Sequence, residues 1–187
     1  MRRREFLKYA GLGSAALAMP GAAAVPAWAH DDEQGKGTRF HFVVLSAVAG
    51  APDRLLITGD GEFEGSRARG GGAFDHFRAQ GSPPLPLVAT GVWEADRALD
   101  FKLVGTHGVF EGGILTLEAT FRTVEGEEVH GVMLEVICNL GQTGLSTGEE
   151  EGVTVTVPAP VSLVFAPLDP PTGITAFTTG AAEHDHD

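Results

Sequence analysis

Residues 113–138 read GILTLEATFRTVEGEEVHGVMLEVIC. Apolar residues occupy every second position on both sides of Gly126, which is the period of a strand with one buried face. A tight turn centred between Gly126 and Glu127 makes the two apolar faces coincide, with Phe121 opposite Val132. The stretch therefore predicts an antiparallel hairpin. The same register predicts that His130 lies on the inner face.

The rest of the chain has the same character, because short apolar or alternating runs are separated by turn residues such as Gly59-Asp60-Gly61. Eight to ten short strands at this spacing predict an all-β fold, a single antiparallel β-barrel, with a β-sandwich as the alternative. The strand-like runs are Arg39–Val48, Arg54–Thr58, Ala73–Arg78, Leu87–Ala95, Leu99–Val104, Gly113–Thr123, Val129–Leu140, Gly152–Val157, Val161–Phe165 and Ile174–Thr178.

The first 29 residues have the layout of an export signal. A basic start is followed by a weakly apolar stretch and by Ala27-Trp28-Ala29, whose small side chains suit a signal peptidase. Arg3-Arg4-Glu5-Phe6-Leu7-Lys8 resembles the twin-arginine motif, in which Arg3, Arg4, Phe6 and Leu7 are the matching residues. We therefore expect cleavage between Ala29 and His30, and a periplasmic or extracellular protein. The export machinery is the expected partner of residues 1–29.

The organisation expected after cleavage is simple. Residues 30–38 are polar and charged and predict a flexible arm, residues 39–179 predict the β-barrel domain, and residues 180–187 predict a disordered acidic tail that contains two histidines. The apolar stretch near the start is too short and too rich in small residues to span a bilayer. We therefore expect no membrane span in the mature protein.

The charge of the chain limits the kinds of partner. The signal holds four of the 13 Lys and Arg residues and one of the 25 Asp and Glu residues, which leaves 9 basic against 24 acidic residues and a net charge of −15. This charge argues against nucleic acid and against anionic membranes as partners, because both repel an acidic protein. Cys138 is the one cysteine, so an internal disulfide is excluded.

Three histidines are candidates for chemistry. His76 is an even number of residues from Phe74 in one strand, so the two are expected on the same face. His107 follows a strand that carries Phe101, and His130 is expected on the inner face of its strand. All three histidines can therefore lie near one rim. Together they could hold a metal or act as acid and base. The alternative, which we favour, is unrelated histidines at strand ends, because the core has none of the close histidine spacings that mark metal sites. The residues imply no cofactor.

The segments Gly70-Gly71-Gly72-Ala73-Phe74-Asp75-His76 and Gly91-Val92-Trp93-Glu94-Ala95 resemble a group of uncharacterised exported bacterial proteins. The resemblance extends over roughly Arg39 to Val157 and implies no activity. In strand count and glycine positions the chain is also similar in style to small barrels of the lipocalin, dirigent and allene-oxide-cyclase kind.

These observations support a non-catalytic exported barrel that binds a small apolar ligand or a partner at one rim. Two other classes stay open. One is an enzyme, either a barrel-type cyclase or isomerase or a metal-dependent enzyme that uses the three histidines. The other is a structural or interaction module. The residues expected to line a ligand site are Phe74, His76, Trp93, His107 and His130.

Overall fold

The computed structural model describes residues 37–81 and 83–179. Within these ranges the chain forms nine strands and a 3-10 turn, Gly141–Thr143. The strands are β1 Thr38–Ala47, β2 Asp53–Glu64, β3 Arg67–Arg78, β4 Leu87–His107, β5 Phe110–Thr123, β6 Glu128–Cys138, β7 Gly152–Val157, β8 Leu163–Pro167 and β9 Gly173–Thr179.

All strand pairings are antiparallel, and they close into a ring. Consecutive strands pair from β1 to β8, and β8 returns to pair with β1 at Ser46 and Ala47. β9 pairs with the earlier part of β1 and touches β5 at Phe110 and Glu111. The ring confirms the predicted all-β fold of eight to ten strands, and its closed pairing is compatible with a barrel and with a sandwich. We call its two ends the Thr38 end, where β1 begins, and the Asp53 end, where β2 begins.

Stacked aromatic rings fill the centre of the ring. Trp93 lies nearly parallel to Phe42, with ring centroids 5.8 Å apart, and Phe40 and Phe121 extend the stack. Strand glycines make room for these rings. A Cβ at Gly59 would lie 2.6 Å from carbons of both Phe42 and Trp93, which is closer than side-chain atoms can approach. The interior is therefore a packed core.

The hairpin of β5 and β6 forms as predicted, but its register differs. Ala119 lies opposite Val132, and Phe121 lies opposite Val129, so the predicted pairing of Phe121 with Val132 is wrong. The cause is a β-bulge before Val132, where Gly131 adopts a φ of 69°. Both strands still turn their apolar residues inward.

The same bulge reverses the predicted orientation of His130. Its ring lies on the outer face, where Nδ1 is 3.0 Å from the Thr120 hydroxyl, and its side chain is 71% exposed. The prediction assumed unbroken alternation back from Val132. Because the bulge places an additional residue opposite Thr120, His130 and Val132 face opposite sides of the sheet.

Several strands are longer than predicted. The glycines of Gly59-Asp60-Gly61 were expected to form a turn, but they lie inside β2 and continue its pairing with β1. Two predicted strands, Leu87–Ala95 and Leu99–Val104, are one bulged strand, β4. Among the described residues, no helix is both long and apolar enough to cross a membrane.

The predicted export signal and tail lie outside the described residues. This applies to residues 1–36 and 180–187, and so to the motif residues Arg3, Arg4, Phe6 and Leu7 and to the predicted cleavage site between Ala29 and His30.

Candidate functional site

The rings of Phe74 and Trp93 lie in the packed centre of the ring of strands. Trp93 is 1% exposed, and its indole Nε1 donates a hydrogen bond to the Thr58 carbonyl oxygen at 2.7 Å. Phe74 is buried against Phe121, with ring centroids 5.0 Å apart. Both residues are therefore part of the core, which leaves the ends of the ring as places where a ligand could bind.

His76 faces inward near the Asp53 end, as its parity predicts. Its Nε2 lies 2.8 Å from Asp53 Oδ1, and the ring stands edge-on to Phe165. The side chains of His76 and Asp53 are only 13% and 17% exposed. An ionised carboxylate accepts hydrogen bonds but cannot donate them, so Nε2 carries the proton that joins the two groups.

Asp53 is held in its charged form by its neighbours. The hydrogen bond from His76 lowers the pKa of Asp53, and the charges of His76 and Arg78 act in the same direction. Burial opposes this effect, but the net pKa is below its usual value. Chemically the pair can hold and orient a proton at one rim, as an oriented imidazole does in acid–base catalysis.

The three candidate histidines do not form one site. His76 is half-buried near the Asp53 end, His130 lies on the outer face, and His107 is exposed at the tip of the hairpin between β4 and β5. In the part of the chain that the structure describes, no group of three or more His, Cys, Asp or Glu side chains is placed to hold a metal ion.

An open cleft of about 470 Å³ lies at the Thr38 end of the ring. Its lining comes from the start of β1, the turn between β2 and β3, and the middle of β4. The lining residues are Gly37, Thr38, Phe63, Glu64, Gly65, Leu99, Asp100 and Phe101.

Three phenyl rings pack together at the base of this cleft. Phe63 meets Phe101 edge-to-face with centroids 4.8 Å apart, and Phe177 packs against both rings. Edge-to-face contacts of this kind fix the ring orientations. Phe63 and Phe101 therefore offer a preformed apolar wall to the cleft, with the exposed Leu99 beside it.

A carboxylate is buried next to the cleft. Glu111 is 7% exposed, and its Oε2 accepts a hydrogen bond of 3.0 Å from the hydroxyl of Thr38, which is itself a lining residue. Glu111 pairs with Phe177 of β9 and shares the inward parity of Leu115. Among the described residues, no lysine, arginine or histidine nitrogen lies within 4 Å of its carboxylate.

Cys138 does not supply a nucleophile. It is buried, and burial raises the pKa of its thiol. The thiol donates a hydrogen bond to the Thr175 carbonyl oxygen at 3.4 Å. A buried thiol with a raised pKa is unreactive, because the thiolate is the nucleophile.

The sequence interpretation missed the cleft. Its residues come from three distant segments with no motif spacing, so no local signal marks them. Glu111 was detectable, because the alternation of Leu115 and Leu117 continues through Gly113 to an inward position at Glu111. That signal was lost because the predicted strand began at Gly113, whereas β5 begins at Phe110.

Comparison of the chain with protein families and with individual proteins gives no assignment. No family model, no curated protein sequence and no solved structure matches it.

Proposed function

We propose that the protein is an exported binding protein that holds a small apolar ligand in the cleft at the Thr38 end. The observation that carries the proposal is an open cleft of about 470 Å³ walled by Phe63, Leu99 and Phe101. Volumes of about 300–1,000 Å³ are typical of sites for small molecules.

The packing of the cleft supports binding with little reorganisation. Phe63 is 6% exposed, and it is held by edge contacts with Phe101 and Phe177, so its ring does not have to be ordered when a ligand arrives. Side chains that are already fixed lose little conformational entropy on binding. The Thr38 hydroxyl is one polar group that can orient a ligand, since it lies in the lining and is fixed by Glu111.

The cleft lies at one end of the ring of strands, as expected for a protein whose interior is filled by side chains. Because stacked rings occupy the centre of the ring, a ligand is expected at the mouth and not inside. This differs from barrels whose interior encloses the ligand. Export by the twin-arginine route remains part of the proposal, and it would expose the cleft to compounds outside the cytoplasm.

The proposal is tested by titrating the purified full-length protein with N-phenyl-1-naphthylamine, a neutral probe whose fluorescence rises in apolar sites. We expect saturable binding that Leu99→Glu abolishes and Phe101→Ala weakens about tenfold or more, because loss of a phenyl wall costs about 1.5–3 kcal/mol. Leu99 is exposed, so its substitution is expected to leave the fold intact.

The matched control is Phe110→Ala. Phe110 is an exposed phenylalanine near the same end of the ring that does not line the cleft, and its loss is expected to leave probe binding unchanged. Folding of each variant is checked by circular dichroism. If the probe does not saturate, or if the Leu99 and Phe110 variants bind it equally well, the proposed function is wrong.

A further inference from the structure

We infer that the cleft at the Thr38 end selects organic cations, namely small molecules that combine an apolar body with an ammonium group. This inference rests on the proposed binding function and specifies the ligand class. The charged residues that line the cleft are Glu64 and Asp100, and both are acidic. An amine in the cleft would therefore meet attraction from both sides.

Glu111 extends this negative field behind the wall. Its carboxylate is buried, its hydrogen-bond donor is the neutral hydroxyl of Thr38, and no basic nitrogen of the described residues lies within 4 Å. Burial of a carboxylate without a counter-charge is unfavourable. A cation bound against Thr38 would offset this cost, because Thr38 lines the cleft and is hydrogen-bonded to Glu111.

Two other partly buried carboxylates of the protein have cationic partners. Glu118 pairs with Arg97 at 2.6 Å, and Asp53 lies between His76 and Arg78. The more exposed Glu128 is likewise 2.7 Å from Arg122. Among the described residues, Glu111 is the one acidic residue that is buried, and its hydrogen-bond donor is a hydroxyl and not a cation.

Aromatic rings in the wall complement the acidic groups. Phe63 and Phe101 line the same cleft, and phenyl rings attract a cation that approaches their faces and has lost part of its water. The net charge of −15 expected for the mature chain adds long-range attraction, which salt weakens. Aromatic rings, lining carboxylates and Glu111 thus favour the same ligand class.

The test uses two competitors of similar size and opposite charge, benzyltrimethylammonium and phenylacetate, to displace N-phenyl-1-naphthylamine from the full-length protein. We expect the cation to compete at a concentration at least tenfold lower than the anion. The measured quantity is the ratio of the two inhibition constants. A change in the shape of the cleft affects both constants in the same direction, so it largely cancels in their ratio.

Variants that remove a negative charge then show which residues produce the preference for the cation. Asp100→Asn and Glu111→Gln are each expected to lower the ratio severalfold, and the double variant is expected to remove most of it. Glu94→Gln is the matched control, because Glu94 is an exposed acid of β4 outside the cleft, and it is expected to leave the ratio unchanged.

The outcomes separate this inference from the proposed function. If the neutral probe binds but the two competitors displace it equally, the cation preference is wrong and the binding function stands. A preference that persists unchanged in the double variant would show that neither Asp100 nor Glu111 produces it, and it would overturn the inference. Failure of the neutral probe to bind would refute both the binding function and the cation preference.

Discussion

His76 donates a hydrogen bond from Nε2 to Asp53 Oδ1 over 2.8 Å, and this contact joins neighbouring strands β2 and β3 at the Asp53 end of the ring. Arg78 Nε lies 3.7 Å from the same oxygen. One hydrogen-bond donor and a nearby positive charge stabilise the charged form of this partly buried carboxylate. The contact therefore links the stability of this end of the ring to the charge of Asp53.

Stability is expected to fall in acid through Asp53. Its folded-state pKa is below the ordinary value of 3.8, so its contribution is present above about pH 4 and is lost as the pH falls toward the lower folded-state pKa. At pH 7, Asp53→Asn is expected to reduce the free energy of unfolding by about 1–2 kcal/mol. The difference from wild type is expected to shrink in acid. Urea unfolding from pH 7 down to pH 3 measures both effects.

The control for this experiment is a second histidine–aspartate pair. His41 Nδ1 lies 3.3 Å from Asp60 Oδ2, but both side chains are mostly exposed, and exposed ion pairs contribute little to stability. Asp60→Asn is expected to leave the unfolding curve nearly unchanged at every pH. Equal effects of the two variants would contradict the role given to burial at Asp53.

Glycine at position 59 is expected to be required by the aromatic stack. A Cβ there would lie 2.6 Å from both Phe42 and Trp93 carbons, so Gly59→Ala should destabilise the fold by about 1–3 kcal/mol through overpacking. Gly141→Ala is the control, because its Cβ would meet no atom within 4 Å. Thermal unfolding of the two variants measures the contrast, and similar melting temperatures would show that the stack can shift.

The same glycine shows what the sequence could predict. Alternation over Leu115–Phe121 correctly predicted an inward apolar face, because a half-buried strand requires a period of two. Gly59 was interpreted as a turn residue, since glycine is typical of turns. Its actual role depends on rings contributed by β1 and β4, and no local pattern contains that information.

The candidate site was less predictable than the fold. The three histidines were grouped because strand alternation predicted that they lie near one rim. A bulge at Gly131 moves His130 to the outer face, and such a bulge reverses the alternation without leaving a clear signal in the residue types. The cleft depends on ring closure, which places Thr38, Phe63 and Phe101 at one end. Strand alternation gives the face of each residue and not the neighbours it meets across the ring.

Trp93 is expected to report folding by its own fluorescence. The chain has two tryptophans, and Trp28 belongs to the predicted signal, so the mature protein would retain Trp93 as its one indole. Because Trp93 is buried among aromatic rings, its emission is expected at short wavelength in the folded protein and at longer wavelength after unfolding. Emission typical of water-exposed indole in the folded state would contradict its position in the core.

Replacement of Trp93 by phenylalanine is expected to be strongly destabilising. Trp93→Phe removes the donor to the Thr58 carbonyl oxygen and leaves a void beside Phe42, and together these losses cost about 2–4 kcal/mol. Chemical denaturation measures the change, followed by far-ultraviolet circular dichroism because the indole is lost. Val164→Ala, at an exposed position of β8, is the control and is expected to change stability little.

Export is expected to depend on Arg3 and Arg4 specifically and not on positive charge. A twin-arginine receptor distinguishes arginine from lysine, because the guanidinium is a planar multi-donor group and the ammonium is not. Replacing both residues by lysine should therefore retain the uncleaved chain in the cytoplasm of a bacterial host that has this pathway. Arg2→Lys, outside the pair, is the matched control and should still give an exported product. Cell fractionation with mass spectrometry of the product, which should begin at His30, provides the measurement. Normal export of the double-lysine chain would refute the proposed route.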